Sequence, residues 1–172
     1  MGGYGSGRSS DRCTVESCLV LSADRLTRDK FLRPEAHKAG TLTWTRTSTS
    51  EKVATLGWKA ETTTEAGRLR LHYTLTGSEE EVDYCVRLTT TPLPWGGVRW
   101  WFLCPLDGCR RRVGKLYLPP GGRYFGCRKC YELVYASSRE AHKYDGLYMR
   151  IGAEIGVGPA DVKRVLESMK KK

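Results

Sequence analysis

Cys104-Pro-Leu-Asp-Gly-Cys109, then a 17-residue insert, then Cys127-Arg-Lys-Cys130 is the stretch whose reading decides this fold. Two short-spaced cysteine pairs separated by a hairpin-sized insert are the ligand pattern of a structural zinc site. Each pair offers two thiolates from a tight turn, and two such turns facing each other make a tetrahedron. Zinc imposes no d-electron geometry and is borderline-soft, so four sulfurs at about 2.3 Å satisfy it. Within the insert, Val113-Gly-Lys-Leu-Tyr-Leu118 reads as a strand, Pro119-Pro-Gly-Gly122 as a turn and Arg123-Tyr-Phe125 as the returning strand. The stretch therefore predicts a zinc ribbon, two knuckles joined by a β-hairpin, with one structural Zn2+ on Cys104, Cys109, Cys127 and Cys130. Free or disulfide-bonded cysteines are the competing reading. The first knuckle has four residues between its cysteines, where the commoner ribbon knuckle has two. Four thiolates fill the coordination shell and leave no position for water or substrate, so the site is expected to staple a fold.

Upstream of this stretch the pattern changes. Pro92-Leu-Pro-Trp-Gly-Gly97 breaks a strand-rich region, and Val98-Arg-Trp-Trp-Phe-Leu103 is a final strand leading straight into the first knuckle. Alternation within it favours Trp101 and Leu103 as inward, together with Tyr117 and Phe125 of the hairpin. Before the break, Thr41–Thr47, Val53–Trp58, Arg68–Leu75 and Glu81–Leu88 are period-two runs rich in Thr, Val, Leu and aromatics. They predict an antiparallel meander of about four strands, with Leu69, Leu71, Tyr73 and Leu75 on one face. Residues 13–34 read as helical. Thr14 caps a short turn, Ser22 caps a helix carrying Leu26, Phe31 and Leu32 inward, and Arg33-Pro34 ends it. Cys13 and Cys18 repeat the wide spacing, but no second pair lies nearby. Cys18 is read as a small buried apolar residue. Residues 1–12 hold four glycines and three serines and predict a flexible arm.

Downstream, Tyr131-Glu-Leu-Val-Tyr135 reads as another strand. Ser137 or Ser138 then caps a helix with Ala141, Tyr144, Leu147, Tyr148 and Ile151 on one face. Gly156-Val-Gly-Pro159 stops it. A last helix carries Val162, Val165, Leu166 and Met169 inward and ends in Lys170-Lys-Lys172. The expected architecture is α+β: an N-terminal helix and antiparallel β-meander, a four-cysteine zinc ribbon and C-terminal helices. Its expected divisions are an arm at 1–12, a helix-and-sheet domain at 13–94, the ribbon at 95–136 and helices at 137–172.

Charge is unevenly spread. Residues 1–100 carry 14 Lys and Arg against 12 Asp and Glu, a net +2; residues 101–172 carry 15 against 7, a net +8. Such a field attracts polyanions, of which nucleic acid is the commonest in a cytosol. Arg110, Arg111, Arg112, Lys115, Arg123, Arg128 and Lys129 crowd the ribbon itself. Arginine forks hold phosphate oxygens, and interleaved aromatics suit stacked bases. A solvated charged face is the plainer alternative. Nothing indicates a membrane partner, since no apolar run approaches the 18 residues of a membrane span and no apolar leader is visible. Seven cysteines, four of them in ligand spacing, suit a reducing cytoplasmic setting.

An enzymatic reading has little support. His37, His72 and His142 are isolated, and no nucleophile–base order, phosphate-binding glycine loop or HExxH stretch appears. No catalytic residue is assigned. The expected function is nucleic-acid binding, with DNA and RNA equally open. The alternative is a protein–protein adaptor or inhibitor that docks a host protein through its β-sheet.

Several stretches resemble a widespread family of small bacterial and phage or prophage zinc-ribbon proteins with a Gly-rich start. They are Gly2-Gly-Tyr-Gly-Ser-Gly-Arg8, Thr14-Val-Glu-Ser-Cys18, Thr91-Pro92, Trp101-Phe-Leu-Cys-Pro105 and Cys109-Arg-Arg-Arg-Val113. Leu116-Tyr117, Tyr124-Phe-Gly-Cys-Arg-Lys-Cys-Tyr131 and Leu133-Val-Tyr-Ala-Ser137 complete the set. This chain departs in its longer first knuckle and in a less arginine-rich C-terminal helix. The resemblance implies a bacterial or mobile-element setting, with a possible role as a regulator, and implies no activity.

Overall fold

The computed structural model describes residues 12–45, 50, 52–75, 80–140 and 145–169. They form two compact units, Met1–Leu133 and Val134–Lys172. The arm expected at the N-terminus falls outside the described residues, apart from Arg12.

The first unit is built on a six-stranded antiparallel meander in the order β2-β3-β4-β5-β6-β7. Its strands are β2 (Ala36–Thr45), β3 (Lys52–Thr62), β4 (Ala66–Thr74), β5 (Glu81–Pro92), β6 (Val98–Leu103) and β7 (Arg112–Val113). The meander is the architecture the alternation predicts, with more and longer strands than the four short runs suggested. Leu69, Leu71 and Tyr73 of β4 are buried on one face, and Leu75 packs at the edge of the core. Leu69, Leu71 and Tyr73 are each followed by an exposed residue, which is why the period-two pattern was readable.

On β6 the inward residues are Trp100 and Phe102, not Trp101 and Leu103, which are half-buried on the other face. Pairing decides this. Phe102 sits opposite Leu88 of β5, whose side chain is in the core, whereas Trp101 sits opposite Thr89. Neighbouring apolar residues on a strand leave the inward face ambiguous until register settles it. Tyr117 and Phe125 are buried, as expected.

The N-terminal region is less helical than the sequence suggests. Val15–Ser17 is a 3-10 turn, and Thr14 makes no side-chain cap there. Leu19–Ser22 is then a strand, β1, paired antiparallel with β8 (Lys115–Leu118), Val20 facing Tyr117 and Leu21 facing Leu116. This partner lies almost a hundred residues along the chain, so local periodicity carries no trace of it. Helix α1 (Ala23–Arg28) starts where the cap predicts, with Ser22 Oγ accepting from the Arg25 N–H at 3.4 Å. It ends earlier than Arg33-Pro34. Lys30 turns into the left-handed region at φ 62, and the Phe31 and Leu32 N–H groups close back on the Leu26 carbonyl. Leu26 and Leu32 are buried and Phe31 is half-buried, its ring 4.8 Å from that of Trp58.

The second unit contains α2 (Ala136–Glu140), α3 (Asp145–Ile155) and α4 (Pro159–Met169). Gly156, at φ 72, ends α3, and Pro159 opens α4, as the sequence indicates. The inward positions are fewer than expected. Leu147 is 49% exposed and Val165 is 58% exposed, while Gly152 and Val162 are buried. Gly152 marks the close approach in this helix pair: a Cβ there would lie 2.6 Å from the Val157 carbonyl oxygen. Ala141, Tyr144 and the Lys170–Lys172 tail lie outside the described residues.

Candidate metal centre

Strand β6 delivers Cys104 directly into the first knuckle. Its extra length is taken up by a turn in which the Cys109 N–H bonds the Leu106 carbonyl and Gly108 adopts φ 70. The left-handed Arg110 then reverses the chain, and the Cys104 N–H is met by the Arg111 carbonyl at 2.9 Å. The second knuckle, Cys127–Cys130, turns tightly, with the Leu133 N–H bonded to the Arg128 carbonyl and Glu132 at φ 48. A strand was expected over residues 131–135; residues 131 and 132 instead lie in these turns, and the remainder forms no strand beyond a single bridge residue at Val134.

The returning strand Arg123–Phe125 is also different. It joins β8 only through the bridge Tyr117–Gly126. The single strand expected over Val113–Leu118 divides at Gly114 into β7, which pairs with β6, and β8, which pairs with β1. Three tyrosine hydroxyls stand in for the missing ladder. Tyr73 Oη donates to the Arg123 carbonyl at 2.6 Å, Tyr131 Oη donates to the Tyr124 carbonyl, and the Phe125 N–H donates to Tyr84 Oη at 2.8 Å. The sheet and the second knuckle thus hold the segment that carries Cys127 into place. No sequence signal identifies these bonds, although inward alternation does place Tyr73 near the core.

The outcome is that the Sγ atoms of Cys104, Cys109, Cys127 and Cys130 all lie within 4.8 Å of one another. Individual separations are 4.0 Å for Cys104–Cys130, 3.8 Å for Cys109–Cys127 and 3.5 Å for Cys127–Cys130. Four sulfurs at about 2.3 Å from a central ion stand roughly 3.8 Å apart. The donor set and its spacing are therefore compatible with a single zinc. Backbone N–H groups point at the sulfurs: Cys127 N to Cys104 Sγ at 3.2 Å and Cys130 N to Cys127 Sγ at 3.4 Å. Gly126 lets the knuckles meet, since a Cβ there would lie 2.3 Å from Leu106 Cδ1 and 2.8 Å from the Tyr131 ring.

Cys104, Cys127 and Cys130 are shifted in different directions. Burial pushes Cys104 up, against backbone bonds from Leu106 and Cys127. Burial also opposes ionisation of Cys127, but the Cys130 N–H, the Cys130 and Cys109 thiols and the Lys129 N–H outweigh it and bring it to about 7. Cys130 is pushed well up by burial and then by its hydrogen-bonded sulfur neighbours. A divalent cation makes all four ionise, which is how metal affinity and thiol deprotonation are linked.

Among the described residues no other group of three or more His, Cys, Asp or Glu side chains gathers in this way. Cys13 and Cys18 lie with their sulfurs 4.0 Å apart and without a third ligand. Cys18 is half-buried, and burial raises its thiol to about 11. His37 and His72 are exposed, and His142 lies outside the described residues.

The basic residues around the knuckles take different positions. Arg110, Arg111, Lys115, Arg128 and Lys129 are exposed. Arg112 Nη1 donates to Thr91 Oγ1 at 3.2 Å, and its guanidinium lies 5.2 Å from the Trp101 ring centre. Arg123 is tied by an ion pair to Glu80 at 2.5 Å and covers the Tyr124 ring. Arg99 was not singled out by sequence, yet its guanidinium lies 4.3 Å from the same Trp101 ring. No helix among the described residues is long and apolar enough to cross a membrane. No protein-family model, curated protein or solved structure matches this chain.

Two tyrosines that bond the segment leading to Cys127, buried Tyr73 and half-buried Tyr84, set an alkaline limit. Burial raises Tyr73 to about 12 and Tyr84 further still. A phenol whose folded value lies above the unfolded value of about 10 favours the fold in its neutral form. That stability is present below about pH 10 and is lost as pH rises through about 12. Tyrosinate absorbance should therefore lag that of an unfolded chain and rise together with unfolding. An alkaline midpoint left unmoved in Tyr73→Phe would contradict this account.

Proposed function

We propose that this chain is a zinc-ribbon protein that binds nucleic acid, its single structural Zn2+ held by Cys104, Cys109, Cys127 and Cys130. The observation that carries the reading is the four-cysteine cluster with exposed cations on both knuckles. Arg110 and Arg111 follow the first knuckle and Lys129 lies in the second, and none of these three has a carboxylate partner among the described residues. A metal-fixed turn holds such side chains in constant relation, which suits repeated phosphate contacts. Lys115 and Arg128 extend the same charge, and Arg112 adds a positioned fork. Arg123 contributes less, since Glu80 already neutralises it. The resemblance to bacterial and phage zinc-ribbon proteins supports a cytoplasmic regulator of a bacterium or mobile element as the setting.

Replacing Arg110, Arg111 and Arg112 together with alanine should weaken binding to a random labelled oligonucleotide and leave zinc content unchanged. Counterion release contributes roughly 0.7–0.9 to the salt slope per phosphate contact. The slope of log K against log salt should therefore become shallower by about 2 to 3. Binding equal to that of the native chain would remove these residues from the interface.

One observation favours a second reading, a protein–protein adaptor. Trp95 is 91% exposed at the tip of the β5–β6 hairpin, between Leu93 and the left-handed Gly96 and Gly97. Exposed tryptophans anchor protein interfaces. Trp44 and Trp58 do not support it, being half-buried and buried. A partner retained after nuclease treatment and lost in Trp95→Ala would select this reading.

A further inference from the structure

The face of the sheet turned away from the core is chemically uneven. Alternation exposes Arg68 and Arg70 on β4, Arg87 on β5, Arg99 on β6 and Arg112 on β7, while Leu69, Leu71, Val86, Leu88, Trp100 and Phe102 are buried behind them. Arg68 stands directly opposite Arg87 in the β4–β5 ladder. Like charges directly opposite destabilise a sheet. Where this face needs neutrality it provides it: Arg70 is held by both carboxylate oxygens of Asp83, at 2.7 and 2.6 Å. Arg68 and Arg87 have no such partner among the described residues. Glu61 stands directly opposite Arg68 on its other side, in the β3–β4 ladder, without forming an ion pair.

Beside this pair lies an ordered stack. Thr91 Oγ1 accepts from both Trp101 Nε1 at 3.1 Å and Arg112 Nη1 at 3.2 Å, which fixes the indole and one guanidinium. Arg99 approaches the ring at 4.3 Å while also reaching Asp24 at 3.5 Å. Trp101 is half-buried, so its edge remains in contact with solvent.

We propose that a single-stranded nucleic acid crosses this outer face, its phosphates held by Arg68, Arg87 and Arg112 and one base stacked on the Arg99–Trp101–Arg112 cluster. The inference rests on the nucleic-acid reading and gives it a second surface, joined to the knuckles through Arg112. Charge complementarity selects a polyanion. The planar stack selects one with splayed bases, because unstacked bases pack on aromatic rings and on guanidinium planes, whereas a duplex keeps its bases inside. Held anions also relieve the Arg68–Arg87 repulsion that the bare face retains.

The test measures the full chain against a labelled oligothymidylate and against a duplex of equal length, as a function of salt. Single-strand binding should be the tighter. Arg68→Ala/Arg87→Ala should lower the salt slope by roughly 1.4, at about 0.7 per contact on a single strand. Its thermal midpoint should be unchanged or higher, because a repulsive pair is removed, so misfolding does not account for the loss. Trp101→Leu should weaken binding by roughly 5- to 150-fold, the equivalent of about 1–3 kcal/mol for one stacked base. If the knuckle-arginine variant loses affinity while both sheet variants bind like the native chain, this surface is wrong and the nucleic-acid reading stands. Preference for the duplex likewise overturns the surface. If the native chain does not bind at low salt, both fall together.

Discussion

Chelation of the native chain should release one zinc ion and collapse the knuckles, and Cys127→Ser should reproduce that state without a chelator. The expected effect is large. Binding of structural zinc in small zinc modules is worth about 10–16 kcal/mol at neutral pH, comparable to the whole net stability of an ordinary domain, about 5–15 kcal/mol. Cys127 is the informative ligand because it is buried and its sulfur neighbours three others, whereas Cys130 is exposed. Without the ion, nothing offsets the crowding of four sulfurs that lie within 4.8 Å of one another.

The loss should be partial in structure. Strands β2–β5 contribute Leu56, Trp58, Leu69, Leu71, Val82 and Val86 to the core that also holds Cys104, Phe125 and Cys127, and their ladder pairing involves none of the four clustered cysteines. Far-UV dichroism should keep its sheet signal, while near-UV signals from the ring cluster around Phe125 and Tyr131 weaken. Acid should act in the same direction as chelator, because protons compete with the ion for each thiolate. A freshly reduced preparation that contains no metal, or one whose melting is indifferent to chelation, would remove the zinc ribbon and the function proposed on it.

The cluster was legible because the donor spacing that suits a metal is read without knowing the fold. The meander was legible for a related reason: one face of β4 packs and the other is wet, so Leu69, Leu71 and Tyr73 alternate with polar residues. Legibility stopped where two elements distant in sequence meet. Leu19–Ser22 carries as good a helical as a strand pattern, and only β8 makes it a strand. Trp100-Trp101-Phe102 is apolar throughout, so its inward face depends on the register with β5. Residues 123–125 look like a strand by composition but receive their hydrogen bonds from tyrosine side chains. The stack on Trp101 escaped for the same reason. Its members come from β6 and β7, and Thr91 of β5 locks them together.

Phe125→Ala should destabilise the chain by about 3–5 kcal/mol, the usual cost of deleting a large buried ring. Alternation in the hairpin already favours this residue as inward, two positions before Cys127. In the fold it is almost fully buried, its ring 6.2 Å from that of Trp44 and edge-on to Tyr73 at 6.0 Å. It is the point where the segment leading to Cys127 enters the sheet's core, and Tyr84 holds its backbone N–H. Removing the ring therefore opens a cavity shared by both, and neither can collapse to fill it while the tyrosine bonds persist. For a chain of this size the expected fall in melting temperature is roughly 6–20 °C. Zinc content below the transition should remain one per chain, since no ligand is altered. Trp95→Ala provides the contrast, a larger ring removed from an exposed hairpin tip with an expected change within about 0.5 kcal/mol. Equal effects from the two substitutions, measured by denaturant unfolding, would show that the segment leading to Cys127 and the sheet do not share a core.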